Sequence, residues 1–479
     1  MNEPQPTQFA LVVKQDCGTC RRIEPALREL GKHFGGALKI HVQDNPEFLG
    51  DLDNTVTDTD LAYSFHHDIE VVPTLIRFKD GQETGRTTGW ERQAWQTLTG
   101  LAQLGADLPA FQPGCGSMTR DPGVAEQLAL KFGAAKLQAR QLDIDEAEDV
   151  MEACYERGWT DGLPVVPPTP LRVMRMLGAT DRQADETIGL IPPDNVPCTV
   201  EKVAINAVMA GCKPEYFPLV LAVVEGALDD RFCMHGLLCT TYFSSPVVIA
   251  SGPEARRIGM NSGVNALGQG NRANATIGRA LQLLIRNVGG GKPGGIDRAT
   301  LGSPGKYTFC FAEDESNPDW PSLAMDQGYA RGDSVISLFA GDGVQGVMDQ
   351  QSRQPESLAR SLANSLRTVA NAKLFMMADA LLVLSPEHRR VFMQGSWNKA
   401  QVKAAIIEAL KTPGEQVIRG AGGIAEGMPV ALADRVLDKF REGGLHIASA
   451  GGTAGLFSAI IGGWVASGER GSQLVSKKL

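Results

Sequence analysis

The sequence is poor in basic charge. It carries 46 Lys and Arg against 55 Asp and Glu, a formal net charge of −9. No basic stripe is present, so nucleic acid is not an expected partner. Cysteine is sparse: nine, an odd count spread over 479 residues, where a secreted disulfide scaffold would be short and cysteine-dense. The opening residues, Met1-Asn2-Glu3-Pro4-Gln5-Pro6, lack a basic and apolar leader, so the cytoplasm is the expected location. Long apolar runs are scarce too. Residues 445–468 are long enough to span a bilayer. Their glycines and serines read instead as strand, glycine turn and buried helix, and no membrane span is expected. Hydrophobic content of 43% and charged content of 21% exclude a disordered chain. The length calls for about two or three domains. Glycine is abundant, at 54, and is concentrated after residue 240.

The most informative stretch is Cys17-Gly18-Thr19-Cys20. It follows an apolar run at 9–13 that reads as a buried strand, and it opens a helix over 21–34. Further strands are expected at 38–43, 74–78 and 82–88, with helices at 61–65 and 91–101. Asp80-Gly81 is a hairpin turn. Before the third strand stands Val71-Val72-Pro73-Thr74. A lone CxxC is a weak signal; in this βαβαββα frame it is a strong one. Cys17 would precede a helix N-terminus, whose dipole and free amides favour a thiolate. That thiolate attacks a disulfide and Cys20 resolves the product. A zinc half-site is the competing reading, but no second CxxC supplies the other ligands.

Over residues 7 to 105 this arrangement resembles thioredoxins. Pro25, five residues after Cys20, matches the helix kink of that family, and the resemblance implies that Pro73 is the cis proline beside the cysteine pair. Two departures stand out. Asp16 replaces the tryptophan usual before the first cysteine, and Leu11 stands where the family has a buried, proton-relaying acid. Asp16 is expected to raise the Cys17 pKa, and both departures point to a dedicated partner.

A thioredoxin-like domain is therefore expected at 1–106 and a linker at 107–145, carrying the turn Pro113-Gly114-Cys115-Gly116-Ser117. A large α/β layered domain follows at 146–479. Helices are expected at 124–140 and 145–157, then at 200–209, 215–228, 275–288, 356–372, 399–410, 431–440 and 454–465. Strands are expected at 247–250, 335–339, 380–384 and 445–448. Val248-Ile249-Ala250-Ser251-Gly252 and His446-Ile447-Ala448-Ser449-Ala450-Gly451 look alike, but so short a match is weak evidence of duplication. Pro113 to Ser117, Gly158-Trp159-Thr160-Asp161-Gly162-Leu163-Pro164, Ala210-Gly211-Cys212-Lys213-Pro214-Glu215 and Ala273-Asn274-Ala275-Thr276-Ile277-Gly278-Arg279 resemble a bacterial family of thioredoxin-fused proteins. That family is related to large proteins that accompany short selenoproteins with a UGSC motif. The resemblance supplies a grouping, not a mechanism.

Among the remaining cysteines, Cys115 sits in an open glycine turn. Cys212 stands beside Lys213, whose charge favours a thiolate. A packed or incidental thiol is the plain alternative for each. Cys198, Cys233, Cys239 and Cys310 read as packed. Gly268-Gln269-Gly270-Asn271-Arg272-Ala273-Asn274 could cradle an anion at a helix start, with Asn274 as N-cap and Arg272 and Arg279 as cations; a plain turn is the competing reading. Glu313-Asp314-Glu315 reads as a solvated loop rather than a metal site, and His235 is the best-placed histidine for acid–base work.

These residues lead to an enzyme, a thiol/disulfide oxidoreductase. Cys17 and Cys20, with Pro73 beside them, pass electrons to a cysteine site in the large domain, for which Cys115 and Cys212 are the candidates, with His235 for acid–base work. Arg272, Asn274 and Arg279 hold a small anionic substrate. No cofactor or metal is expected beyond a redox-active Cys17–Cys20 disulfide. The expected partners are the small-molecule substrate and a redox protein of the thioredoxin system or of the selenoprotein type; self-association is open. Two alternatives stand beside this. One is a protein-disulfide reductase or redox-regulated scaffold whose large domain binds a client protein. The other is cofactor or metal chemistry in the large domain, maintained by the thioredoxin-like unit.

Overall fold

Leu11, Val12 and Val13 have no solvent exposure, because their strand, β1 (Gln8–Val13), lies at the centre of a five-stranded sheet. This is seen in a computed structural model describing residues 7–133, 137–145, 148–418, 429–466, 468–469 and 471–479. The chain divides into two units, Met1–Lys136 and Leu137–Leu479.

In the first unit the elements run β1, α1 (Gly18–Arg22), α2 (Glu24–Phe34), β2 (Leu38–Val42), β3 (Thr55–Thr57), α3 (Ala62–His66), β4 (Val71–Val72), β5 (Thr74–Lys79), β6 (Gln82–Thr88), β7 (Trp90–Glu91), α4 (Arg92–Thr99), β8 (Phe111–Gln112), β9 (Cys115–Gly116) and α5 (Val124–Phe132). The sheet order is β3-β2-β1-β5-β6. β1 pairs parallel to β2 and antiparallel to β5, which makes the sheet thioredoxin-like. The helix expected over 21–34 is split at Ile23. Pro25 has no amide to donate, and its ring clashes with the carbonyl four residues back. The region expected as a linker is not free. β8 pairs with β7 and β9 with β4, while Trp90 Nε1 donates to Pro109 O and Thr119 Oγ1 to Ile69 O. The expected boundary at 106 therefore falls inside the first unit. The helix expected over 124–140 ends at Phe132, and residues 134–136 lie outside the described ones.

The second unit continues with α6 (Val150–Glu156), α7 (Pro170–Leu177), β10 (Thr187–Ile191), β11 (Val196–Thr199), α8 (Val200–Ala210), α9 (Phe217–Ala227), α10 (Met234–Cys239), β12 (Ser245–Ser251), α11 (Pro253–Arg257), α12 (Arg272–Asn287), β13 (Cys310–Ala312), α13 (Leu323–Asp326) and β14 (Val335–Met348). It ends with α14 (Pro355–Leu366), β15 (Ala380–Leu384), α15 (Pro386–Gln394), α16 (Lys399–Leu410), β16 (Thr412–Pro413), α17 (Gly414–Ile418), β17 (Val436–Leu437), β18 (Leu445–Ser449), β19 (Phe457–Gly463) and β20 (Val475–Lys478). The main sheet has the order β13-β12-β14-β19-β15-β18, with β20 on β14. The sheet is curled. Inward residues of six of its seven strands, Ile249, Phe311, Phe339, Val383, Ala448 and Ile461 among them, form one cluster. The tips of its two edge strands meet, Asp314 N donating to Ser449 O at 2.6 Å. Helices cover the outside in two groups, α8, α9 and α12 in one apolar cluster and α14 and α16 in another.

The sheet is built from two copies of one motif. β12 is parallel to β13 and antiparallel to β14; β15 is parallel to β18 and antiparallel to β19. The counterpart of β12 is thus β15, and not β18, whose resemblance to β12 the sequence offered. The segments after the paired strands agree: Pro253-Glu254-Ala255-Arg256-Arg257-Ile258 after β12, and Pro386-Glu387-His388-Arg389-Arg390-Val391 after β15.

Two expected helices are strands. Residues 454–465 contain β19, paired on both sides, because a short apolar run suits a buried strand as well as a buried helix. The helix expected over 431–440 is replaced by a turn at Val430–Leu432 and by β17. There the buried Lys439 ammonium donates to the carbonyls of Val369, Asn371 and Leu374, which holds the chain extended. No helix among the described residues is long and apolar enough to cross a membrane.

A Cβ at Gly463 would sit 2.6 Å from Asp379 O and 3.0 Å from its carbonyl carbon. Backbone cannot yield there as a side-chain tip could, so Gly463→Ala is expected to cost about 1–3 kcal/mol by overpacking. Chemical denaturation followed by circular dichroism should show the lowered midpoint; an unchanged midpoint would mean that β19 has room.

Candidate active site

Cys17 is the N-cap of α1, in extended conformation, with Cys20 N donating to its sulfur at 3.3 Å. The loop before it is fixed by the Asp44 carboxylate, which accepts from Gln15 N and Asp16 N at 2.7 Å each. The sulfur of Cys115 lies 2.8 Å from that of Cys17. The positioning of Cys115 is extensive. β9 pairs Cys115 with Val72 and Gly116 with Val71, immediately before the cis Val72–Pro73 bond. Thr19 Oγ1 donates to Pro113 O, and Gln43 Nε2 donates to both Ser117 Oγ and Ser64 Oγ. A Cβ at Gly114 would fall 3.0 Å from Val72 O and against Val71 Cγ1, so only glycine lets this segment lie so close.

Cys17 is 1% exposed and Cys20 has no exposure, whereas Cys115 is partly exposed. Of the three sulfurs, Cys115 is the one that solvent reaches. The Cys17 pKa is lowered to about 5, first by the hydrogen bond from Cys20 and then by that of Cys115, against the opposing cost of burial. Burial raises the thiols of Cys20 and Cys115, and each is raised further by its bond to Cys17. Cys17 is therefore the sulfur favoured as thiolate at neutral pH. Whatever Asp16 adds, the net shift is downward, because direct donors act on the sulfur. Leu11 is fully buried in β1, so no acid stands at that position.

The other expected site residues are dispersed through the second unit. Cys212 is 6% exposed, its sulfur 3.4 Å from Thr276 O, and burial pushes its pKa up to about 12. Lys213 instead pairs with Glu215 at 3.6 Å. Cys212 is thus a packed thiol and not a reactive one. The N-cap of α12 is Asn271, not Asn274. Asn274 is buried and binds the backbone of Asn261 and Ala266. Arg279 is held by Asp161 at 2.7 and 2.8 Å, and Arg272 Nε donates to Gly211 O. Arg279 is neutralised within the fold, whereas Arg272 is exposed and bonded only through Nε, so the expected cradle keeps one of its two cations. His235 is exposed on α10. Glu313, expected in a solvated loop, is buried and accepts from Ser251 Oγ, Leu323 N and Ser449 N; burial raises its pKa to about 7. Sequence reading missed Asp44, Gln43 and Ser117, since polar residues in loops carry no periodic signal.

No protein-family model matches the chain. Its N-terminal region is 31% identical over 78 residues to the thioredoxins of Staphylococcus aureus strains Mu50, MW2 and N315. The match covers 16% of this chain and 61% of each thioredoxin, so the chain spans less than two thirds of the curated relatives it matches. This distant similarity, together with Cys17 and Cys20, points to thiol–disulfide redox function.

Thiolate absorbance of the reduced protein should titrate with a midpoint near 5, and Cys115→Ala should raise that midpoint by removing a donor. A midpoint in the ordinary thiol range would refute the assignment. Because the folded pKa lies below that of the unfolded thiol, ~8.5, ionisation of Cys17 stabilises the reduced fold. That contribution is complete above the unfolded value and is lost as pH falls through about 5. Gly114→Ala should lift the covering segment and speed iodoacetamide alkylation of Cys17; an unchanged rate would show that Cys115 does not shield it.

Proposed function

We propose that the protein is a thiol-dependent oxidoreductase in which Cys17 and Cys20 pass an electron pair through Cys115 to a small anionic disulfide handled by the second unit. The observation that carries this reading is the order of the sulfurs: partly exposed Cys115, then the Cys17 thiolate at 2.8 Å, then buried Cys20.

The Cys115 thiol, giving up its proton, attacks one sulfur of the substrate. The substrate S–S bond breaks, one half leaves as a thiolate, and Cys115 carries the other half. The Cys17 thiolate attacks the Cys115 sulfur, forming a Cys17–Cys115 bond and expelling the second half. Cys20 loses its proton and attacks Cys17, closing the Cys17–Cys20 disulfide and freeing Cys115. Two electrons have moved from the dithiol to the substrate; the proton of Cys115 goes to the first released thiolate, that of Cys20 restores Cys115, and the second released thiolate takes its proton from solvent. A dithiol reductant of the thioredoxin system, or a selenoprotein-like partner, returns the electron pair.

Placing the CxxC and its acceptor in one chain keeps them at about millimolar effective concentration. Cys212 has no part in this route, being buried as a neutral thiol. The reading in which a client protein is reduced is weakened by β9. The backbone edge beside Pro73, where a client strand would pair, is taken by the chain's own segment.

With Cys20→Ser the last step is blocked. Oxidation of that variant should accumulate the Cys17–Cys115 disulfide, identified by mass spectrometry of non-reduced peptides. If Cys17 is recovered only on added thiols or on other proteins, the relay is wrong and the client-protein reading takes its place.

A further inference from the structure

The repeat in the second unit exposes a cation that its counterpart neutralises. After β12, Arg257 is paired by Glu254 three residues earlier, Nε to Oε2 at 2.8 Å. After β15 the corresponding residues are Arg390 and Glu387. Here Glu387 Oε2 instead accepts from Leu456 N at 2.7 Å. Arg390 is left exposed, with no ion pair or hydrogen bond among the described residues. The neighbouring Arg389 is buried and donates to the Asp314 carboxylate at 2.8 Å, so those two charges cancel.

Arg390 lines a cavity of about 530 Å³. Its walls come from the segments after β12, β13, β15 and β18: Ser262, Asp314, Ser316, Arg390 and Thr453 are among them. This is where the two copies of the motif converge, since Asp314 N bonds Ser449 O and Gly451 N bonds Ser262 O. The volume lies within the range of small-molecule sites. The lining mixes Pro318, Pro386 and Met393 with polar groups and leaves one net positive charge. A guanidinium offers a planar, two-pronged donor that matches a carboxylate or a phosphate.

We propose that this cavity binds a small organic anion, with Arg390 as its charge-bearing ligand. The ligand's role as substrate rests on the thiol relay; its binding does not. The cavity is separate from the cradle expected at Arg272 and Arg279, where Arg279 is neutralised by Asp161.

The test uses the full-length protein, with succinate as the carboxylate probe and inorganic phosphate as the other. Phenylglyoxal should modify Arg390, and one of the two anions should slow that reaction while leaving Arg257 unaffected. The arm that protects tells carboxylate from phosphate. In calorimetry Arg390→Ala should weaken binding of the protecting anion at least about tenfold, the loss of one charge-assisted hydrogen bond. Absence of protection by either anion overturns the proposal, as does Arg390→Ala binding that matches wild type. If that variant fails to fold, the wild-type protection pattern still decides. Cys17 alkylation is measured in parallel: protection at Arg390 with no Cys17–Cys115 disulfide leaves this site standing and removes the relay.

Discussion

Two backbone rungs, Cys115 with Val72 and Gly116 with Val71, set the distance on which the redox chemistry depends. A hydrogen-bonded strand pair places its residues to within a few tenths of an ångström, whereas a flexible linker would leave Cys115 sampling many positions. With the rungs in place, the sulfur of Cys115 lies 2.8 Å from that of Cys17. The negative charge is favoured on the inner sulfur, at the start of α1. Gly114 and the hydrogen bond from Thr19 to Pro113 O serve the same end, because they let the segment lie flat over Cys17.

In the proposed relay three tasks are separated that one exposed thiol would have to combine. Donors around its sulfur favour Cys17 as a thiolate. Cys20, which burial keeps protonated, would close the disulfide. Cys115, partly exposed, would meet the substrate. The cost of burying the Cys17 charge is offset by hydrogen bonds that would be absent in the unfolded chain.

The second unit uses duplication in a comparable way. Two similar three-stranded motifs curl around one apolar interior, and the loops after their parallel strands meet. Glu313, held there by Ser251 and Ser449, ties the end of one motif to the end of the other. Once two copies share a scaffold, one can keep an ion pair closed while the other leaves its arginine open. The difference between Arg257 and Arg390 is of this kind.

Sequence alone determined what local chemistry dictates. The apolar run at 9–13 had to be a buried strand and Cys17 had to begin a helix; the break at Pro25 was legible only through the resemblance to thioredoxins. Residues 399–410 and 380–384 form the elements their periodicity requires. Tertiary structure decided what depends on distant partners. Residues 457–463 are a strand because β14 and β15 flank them. Lys439 keeps its segment extended because three remote carbonyls accept its protons. Arg279 is lost to a ligand because Asp161, 118 residues away, holds it. Cys115 and Cys212 look equally reactive in a list of cysteines. One lies in contact with a thiolate and the other is sealed among apolar side chains, and solvation and sulfur–sulfur distance, which decide reactivity, are properties of the fold.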